Sequence, residues 1–200
     1  MNGNGVCAYN LNQLLPSSVA AHPVIKVAIL GAESTGKSTL CRDLATHFDS
    51  QWVPEYMREY LQAKWDTEQK TCEWHDLLPI AQGQIALENQ MTIQVAHGPT
   101  PYLFCDTTLF ELMVYANWYY GDCPEVITQA ALAHHYDLVL LTEVDVPWEA
   151  DDLRDAPHQR DEIAQRFADE LTYHDKLFRR IGGDRQARVA QVIDWLSELS

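Results

Sequence analysis

The sequence predicts an α/β fold of the three-layer α/β/α type, with a central, mainly parallel sheet of about five strands. Three observations lead to this expectation. Short and nearly continuous apolar runs alternate along the 200 residues with stretches of helical periodicity. A glycine-rich segment follows the first apolar run directly. Polar groups stand at the ends of several runs, as expected for parallel strands that present a ligand site at their carboxyl ends.

The strands are predicted from five apolar runs. The clearest are VIKVAIL (24–30), PYLFCD (101–106) and YDLVLLTEVD (136–145), and the weaker ones are QWVPE (51–55) and KLFRRIGG (176–183). Runs of this kind are typical of strands that are buried on both faces. The residues that end four of them, and that should meet at one edge of the sheet, are Gly31, Glu55, Asp106 and Asp145.

Helices are predicted between these runs from the spacing of apolar residues. In 76–96, Leu77, Ala81 and Ile85 recur at every fourth position, which is the period of one helical face. The chain ends in a second stretch of helical period, and Asp184 is expected to cap it because an aspartate at this position can accept a backbone N–H.

The glycine-rich segment GAESTGKST (31–39) fits the pattern G-x-x-x-x-G-K-[ST] of a phosphate-binding loop, or P-loop. Such a loop points its N–H groups at a β-phosphate, while Lys37 would reach the β- and γ-oxygens and Ser38 would bind Mg²⁺. A chance glycine-rich turn is the alternative, but the preceding strand and the following helix favour the P-loop. The residues expected to bind the nucleotide are Gly31, Glu33, Ser34, Thr35, Gly36, Lys37, Ser38 and Thr39.

Three classes of P-loop protein can be compared with the rest of the sequence. A GTPase should carry an N/T-K-x-D guanine motif, and the chain has none. A motor of the AAA type usually ends its second acidic strand in Asp-Glu, whereas this strand ends in Asp106–Thr107. A lone aspartate suits a small-molecule kinase, in which it binds the hydrated Mg²⁺ or accepts the proton of the substrate hydroxyl. Asp106 could also be a helix N-cap, and the two roles are compatible.

The polar segment 143–160 follows the fourth predicted strand and contains Arg154 and Arg160. Arginines on a segment that closes over the phosphates can neutralise charge in the transition state, and we expect a lid of this kind. The alternative is a solvated loop with surface ion pairs.

Candidates for the second substrate come from two other segments. Glu55 and Arg58 follow the second strand and would face the P-loop, where they could bind the hydroxyls of a nucleoside; alternatively they form a structural i,i+3 pair. The polar face of 76–96 offers Gln84, Glu88 and Asn89.

Charge and cysteine content limit the partners and the compartment. The formal net charge of −15 argues against nucleic acid as a partner. The five cysteines are widely spaced and fit no zinc pattern, so reduced thiols and a cytoplasmic location are expected. No apolar stretch is long enough for a membrane span. We expect a flexible tail over 1–22 and a single domain over 23–200.

Four segments in order, GAESTGKST, EYMREY, FCDTT and YDLVLLTEVDVPWEADDLR, resemble the ribosylnicotinamide kinase domain of NadR-type proteins, a P-loop family of NAD metabolism. The resemblance runs from about residue 25 to the C-terminus. It implies transfer of a phosphoryl group from ATP and Mg²⁺ to the 5′-hydroxyl of nicotinamide riboside. It assigns the triphosphate and metal to Lys37 and Ser38, the metal or general-base role to Asp106, the nucleoside to Glu55 and Arg58, the lid to Arg154, and the adenine side to the loop that contains Gly183.

The chain departs from that family at the acceptor site. The family carries an aromatic residue before the Glu-Tyr pair, where this sequence has Pro54. Trp65, Tyr115 or Trp118 could supply a substitute ring, or could pack in the core instead. A kinase for another nucleoside or metabolite, or a slow ATP-hydrolysing regulatory module, therefore remain alternatives. The sequence predicts no oligomeric state.

Overall fold

In a computed structural model of the chain, the structure describes residue 11, residues 23–149 and residues 158–198. One sheet of five parallel strands has the order β2-β3-β1-β4-β5. Its strands are β1 (Ile25–Leu30), β2 (Gln51–Val53), β3 (Tyr102–Asp106), β4 (Leu138–Thr142) and β5 (Arg179–Ile181). All five predicted strands are thereby confirmed, the two weaker ones as short edge strands of the sheet.

Seven α-helices lie in the part of the chain that the structure describes. They are α1 (Lys37–His47), α2 (Tyr56–Glu68), α3 (Leu77–Ala96), α4 (Leu109–Tyr120), α5 (Glu125–Ala133), α6 (Arg160–Tyr173) and α7 (Arg185–Ser197), and a 3-10 turn (Trp74–Asp76) precedes α3. The predicted cap of the last helix is confirmed, because the Asp184 carboxylate accepts the N–H of Ala187 at 2.8 Å. None of these helices is both long and apolar enough to cross a bilayer.

The sheet has a helical layer on each face, as predicted. Val27 and Ile29 of β1 point to a core that they share with α1 and α7. Leu30, with the opposite side-chain direction, lies in the core formed with α3, α4, α5 and α6. Alternate residues of the central strand therefore enter different cores, which explains why the strand is apolar at nearly every position.

The register of the sheet brings the predicted site residues to one edge. Ile29 of β1 pairs with Asp106 of β3, and the P-loop begins two residues beyond Ile29. Val53 of β2 pairs with Cys105, so Glu55 follows at the same edge. Because the strands are parallel, their carboxyl ends form one row, with the P-loop at its centre.

One residue of the predicted N-terminal tail is part of the domain. Leu11 is buried in the main core, and its carbonyl oxygen accepts a hydrogen bond from Nε2 of His134 at 2.9 Å. The rest of 1–22 lies outside the described residues, so the tail over those residues stays a prediction. The four cysteines that are described, Cys41, Cys72, Cys105 and Cys123, form no disulfide.

Candidate active site

The P-loop begins with a residue that has to be glycine. Gly31 has a φ of +145°, and a Cβ on it would lie 2.2 Å from Oγ1 of Thr142 at the end of β4. Both its backbone conformation and this close approach exclude a side chain. The same Thr142 hydroxyl is hydrogen-bonded to the Thr35 hydroxyl at 2.6 Å, which fixes the middle of the loop against β4.

Lys37, the first residue of α1, is buried inside the loop. Its Nζ donates to the carbonyl oxygens of Gly31 at 2.7 Å and Ala32 at 3.0 Å, and it lies 3.2 Å from Oε1 of Glu111. Burial acts to lower the pKa of Lys37, but the carboxylates of Glu111, Glu55 and Asp106 outweigh it, so that its pKa is raised. The ammonium group therefore stays charged at the mouth of the loop.

Glu111 is a site residue that the sequence reading missed. It lies in the first turn of α4, is 2% exposed, and accepts the N–H of Gly31 on Oε2 at 3.2 Å. Burial raises the pKa of Glu111 to about 8, although Lys37 acts in the opposite direction. A lone carboxylate in an otherwise strongly apolar helix, five residues after Asp106, is the feature that could have revealed it.

Asp106 ends β3 beside the P-loop and is almost completely buried. Burial and the neighbouring Glu55 raise its pKa to about 6, against the effects of Lys37 and of a hydrogen bond with Ser38. Its Oδ1 has no hydrogen-bond partner in the described structure. Asp106 is not the N-cap of α4, because the Thr108 side chain accepts the N–H of Phe110 at 3.1 Å and fills that role.

The carboxylate of Glu55 and the side chain of Arg58 line the cleft, but Gln84 does not. Oε1 of Gln84 accepts the N–H of Tyr56 at 2.9 Å, and its Nε2 donates to the carbonyl of Pro54 at 3.4 Å. Gln84 therefore holds the peptide groups on both sides of Glu55. The neighbouring Gly83 lets the Tyr56 ring approach, since a Cβ there would lie 2.0 Å from it.

Glu88 was expected at the substrate, and the structure places it elsewhere. It is fully buried, 3.1 Å from Nζ of Lys26, and it accepts the Tyr136 hydroxyl at 2.9 Å. Lys26 lies near the start of β1, so Glu88 points away from the ligand edge. The prediction treated the polar residues of α3 as one face turned to the substrate, whereas some of them form hydrogen bonds or ion pairs with buried groups of the protein.

Three further expected residues do not line the cleft. The side chains of Asn89 and Trp65 are half-buried and are not part of the cleft lining. Trp118 packs against the main core. Tyr115 is thus the one of the three proposed substitute rings that lines the cleft.

The predicted lid arginines have different outcomes. Arg154 lies outside the described residues. Arg160 begins α6, is largely buried, and donates to the carbonyl oxygens of Ser34 and Val146, both at 2.9 Å. Arg160 therefore holds the backbone of the P-loop and does not line the cleft, whereas it was expected to close over the phosphates as part of a lid.

Arg188 of α7 is a second arginine on the loop, and the sequence reading did not single it out. It is 3% exposed, donates to the carbonyl of Thr35 at 2.6 Å and to that of Gly183 at 3.0 Å, and forms an ion pair with Asp145. The N–H of Gly183 donates to the same carboxylate at 2.5 Å. The segment predicted to contact adenine is therefore joined to the P-loop, and Gly183 lines the cleft.

The P-loop and the ends of the neighbouring strands border one cleft with a volume of about 910 Å³, which suits a ligand of nucleotide size. One part of its lining is the P-loop from Glu33 to Thr39, together with Asp106 and Glu111. A second part, which we call the aromatic wall, comes from α2 and α4. It consists of Met57, Leu61, Leu112, Tyr115, Tyr119 and Tyr120.

Comparison with protein-family models matches residues 26–188 to a family described as AAA domain. The chain belongs to this AAA-domain family. The match begins in β1 and ends at Arg188. It therefore contains the P-loop, Asp106, and both arginines that hold the P-loop, Arg160 and Arg188.

Curated relatives agree with the resemblance predicted from the four motifs. The trifunctional NAD biosynthesis/regulator protein NadR of Salmonella typhimurium is 31% identical to this AAA-domain protein over 142 residues, which make up 71% of this chain and 34% of that protein. NadR of Escherichia coli matches with the same values. The aligned part is about a third of the length of these relatives.

Solved structures share the fold. A crystal structure of NadR protein in complex with NR matches with a TM-score of 0.69 and 24% identity, covering 88% of this chain and 51% of that chain. Deoxyadenosine kinase from M. mycoides matches with a TM-score of 0.58 and 14% identity over 87% of this chain and 100% of that chain. The predicted kinase-like P-loop fold is thereby confirmed.

Proposed function

We propose that this protein is a kinase that transfers the γ-phosphoryl group of ATP to the 5′-hydroxyl of nicotinamide riboside, giving nicotinamide mononucleotide. The observation that carries the proposal is that one cleft is lined by both the P-loop and the aromatic wall, with the carboxylates of Glu55 and Asp106 also in its lining. A triphosphate and a nucleoside can therefore meet in it. The similarity to NadR, and to a NadR structure that contains NR, supports this choice of acceptor.

The triphosphate is expected to bind the N–H groups of the P-loop and the Nζ of Lys37. The amino end of α1 adds a positive dipole, which favours a phosphate in an otherwise acidic protein. Arg160 and Arg188 contribute by holding the loop carbonyls of Ser34 and Thr35, which keeps the N–H side of the loop turned to the cleft. We expect the 181–188 segment, with Gly183, to face the adenine.

Mg²⁺ fits the oxygen atoms of Ser38 and Asp106. Oδ1 of Asp106 is buried without a hydrogen-bond partner, and the Ser38 hydroxyl is bonded to the same carboxyl group, so a hard cation would find two oxygen ligands together. When bound, Mg²⁺ would neutralise charge on the phosphates.

We also propose that the enzyme works in the cytoplasm, where its thiols stay reduced.

Glu55 is the group we assign to the acceptor hydroxyls. It interacts electrostatically with Asp106 and Lys37, and Gln84 fixes the backbone on both sides of it. A carboxylate held in this way can orient a ribose hydroxyl toward the γ-phosphate, and proximity of this kind supplies much of the rate of phosphoryl transfer.

The proposal is tested by measuring ADP formation from ATP and Mg²⁺ with a panel of acceptors. We expect nicotinamide riboside to raise the rate far above the rate without acceptor, and a phosphorylated product to appear in equal amount. If ADP forms at one slow rate whatever acceptor is present, the protein is a regulatory module and the kinase proposal is wrong. If another nucleoside is the better acceptor, the acceptor assignment is wrong.

The Asp106→Asn variant is expected to lower kcat by about 100-fold or more, with a much smaller change in affinity for ATP measured without metal. The amide keeps the shape of the side chain but removes the charge that binds the metal. Asp194→Asn, an exposed change on α7, is the matched control and should keep the wild-type rate. An unchanged kcat for Asp106→Asn would remove this residue from the mechanism.

A further inference from the structure

The hydroxyl of Tyr115 is buried without a partner. Tyr115 lies in the middle of α4, is 6% exposed, and lines the cleft. Its hydroxyl makes no hydrogen bond within the part of the chain that the structure describes. Burying an unpaired hydroxyl costs about 1–3 kcal/mol, so a phenol kept in this position suggests that a group other than the described residues completes its hydrogen bonding.

The ring of Tyr115 is held in place from two sides. It stacks on Tyr119 with ring centres 6.1 Å apart and an angle of 15° between the planes. The ring of Phe167 from α6 meets it edge to face at 5.5 Å and 77°. The position of the hydroxyl is thus fixed in advance, and little conformational freedom would be lost when a ligand binds it.

The surroundings of this hydroxyl keep it protonated, so that it can donate a hydrogen bond. Burial raises the pKa of Tyr115 well above its usual value, and the nearby carboxylates of Glu111, Glu33 and Glu55 raise it further, so the group stays protonated. All three carboxylates belong to residues that line the cleft. Tyr115 lines the same cleft as these carboxylate residues, and it shares α4 with Glu111.

We propose that Tyr115 determines acceptor specificity by donating a hydrogen bond to a carbonyl oxygen on the ring of the acceptor nucleoside. This inference rests on the proposed function and narrows it: the acceptor is a flat heteroaromatic riboside that carries a neutral carbonyl group, such as a carboxamide. The aromatic wall as a whole suits a planar base, and the donor selects those bases that offer an acceptor atom. The aromatic residue that is missing at Pro54 is replaced in this way by contacts from α4.

The test compares two acceptors in wild type and in Tyr115→Phe. One is nicotinamide riboside, and the other is pyridine riboside, which lacks only the carboxamide. Wild type should prefer nicotinamide riboside in kcat/KM, and Tyr115→Phe should lose about 10- to 100-fold on nicotinamide riboside, mostly through KM. The variant should change little on pyridine riboside, so that the preference between the two acceptors disappears.

Tyr120→Phe is the matched control. Tyr120 also lines the cleft, but its hydroxyl already donates to the carbonyl of Cys72 at 2.9 Å. This variant should affect both acceptors by the same factor and keep the preference. If Tyr115→Phe also keeps the preference, the assignment of Tyr115 is wrong while the kinase proposal stands. If wild type does not phosphorylate nicotinamide riboside at all, the proposed function and this inference fail together.

Discussion

Replacing Lys37 by alanine is expected to lower phosphoryl transfer by about 1,000-fold or more. Lys37 is the cation of the P-loop, and its Nζ lies within hydrogen-bond reach of two loop carbonyls at the place where the β- and γ-phosphates are expected. Without it, the phosphates would face the carboxylates of Glu55 and Asp106 with no compensating ammonium group. The rate is measured as ADP formed with nicotinamide riboside, and ATP affinity is measured by calorimetry.

The Lys37→Ala variant should remain folded, which makes the loss of activity interpretable. Removing one member of a buried ion pair usually leaves a costly charge behind. Here the remaining partner is Glu111, whose pKa burial has already raised to about 8, so it can become neutral near pH 7 instead. We expect the melting temperature to stay within a few degrees of wild type. Lys70→Ala, at an exposed lysine, is the matched control and should be fully active. Full activity in Lys37→Ala would exclude the P-loop from the mechanism.

The largest effect on stability is expected from Glu88→Ala. Glu88 and Lys26 are both almost fully buried at 3.1 Å, and the Tyr136 hydroxyl donates to the second carboxylate oxygen. The alanine variant would leave the Lys26 ammonium group in the core without this partner, and the free energy of unfolding should fall by about 3–5 kcal/mol. Urea denaturation followed by circular dichroism measures it.

A double variant separates the charge effect from the loss of packing. Lys26→Met combined with Glu88→Leu removes both charges and keeps apolar volume, so it should recover most of the lost stability. Glu59→Ala, at an exposed glutamate of α2, should change the unfolding free energy by less than about 0.5 kcal/mol. If Glu88→Ala unfolds like Glu59→Ala, the buried pair has no structural role.

Most of the fold could be predicted from local patterns. The runs 24–30, 101–106 and 136–145 are apolar at nearly every position because both faces of each strand are covered, and the structure contains all three as strands. The weaker runs 51–55 and 176–183 were also predicted correctly. They form short strands at the two edges of the sheet, where fewer residues are needed to complete it. The order of the strands was not predictable, because it depends on which runs pair across long stretches of chain.

The phosphate side of the site could also be predicted, but the acceptor side could not. The P-loop and Asp106 are close in sequence to strand ends, so a local motif reveals them. Glu111 and Arg188 reach the P-loop through contacts over 80 and 153 residues of sequence separation, and no local pattern marks such a contact. Gln84 and Glu88 were assigned to the ligand because they are polar, whereas each satisfies a group of the protein itself.

By itself the sequence determined that this protein has a P-loop at the centre of a parallel sheet and one acidic strand end beside it, because glycine, lysine and aspartate at those positions act within a few residues of the strands that hold them. Only the tertiary structure decided which side chains form the rest of the cleft. The direction of a helical side chain depends on how its helix packs against the sheet, and that packing determined that Tyr115 lines the cleft while Glu88 faces a lysine in the core.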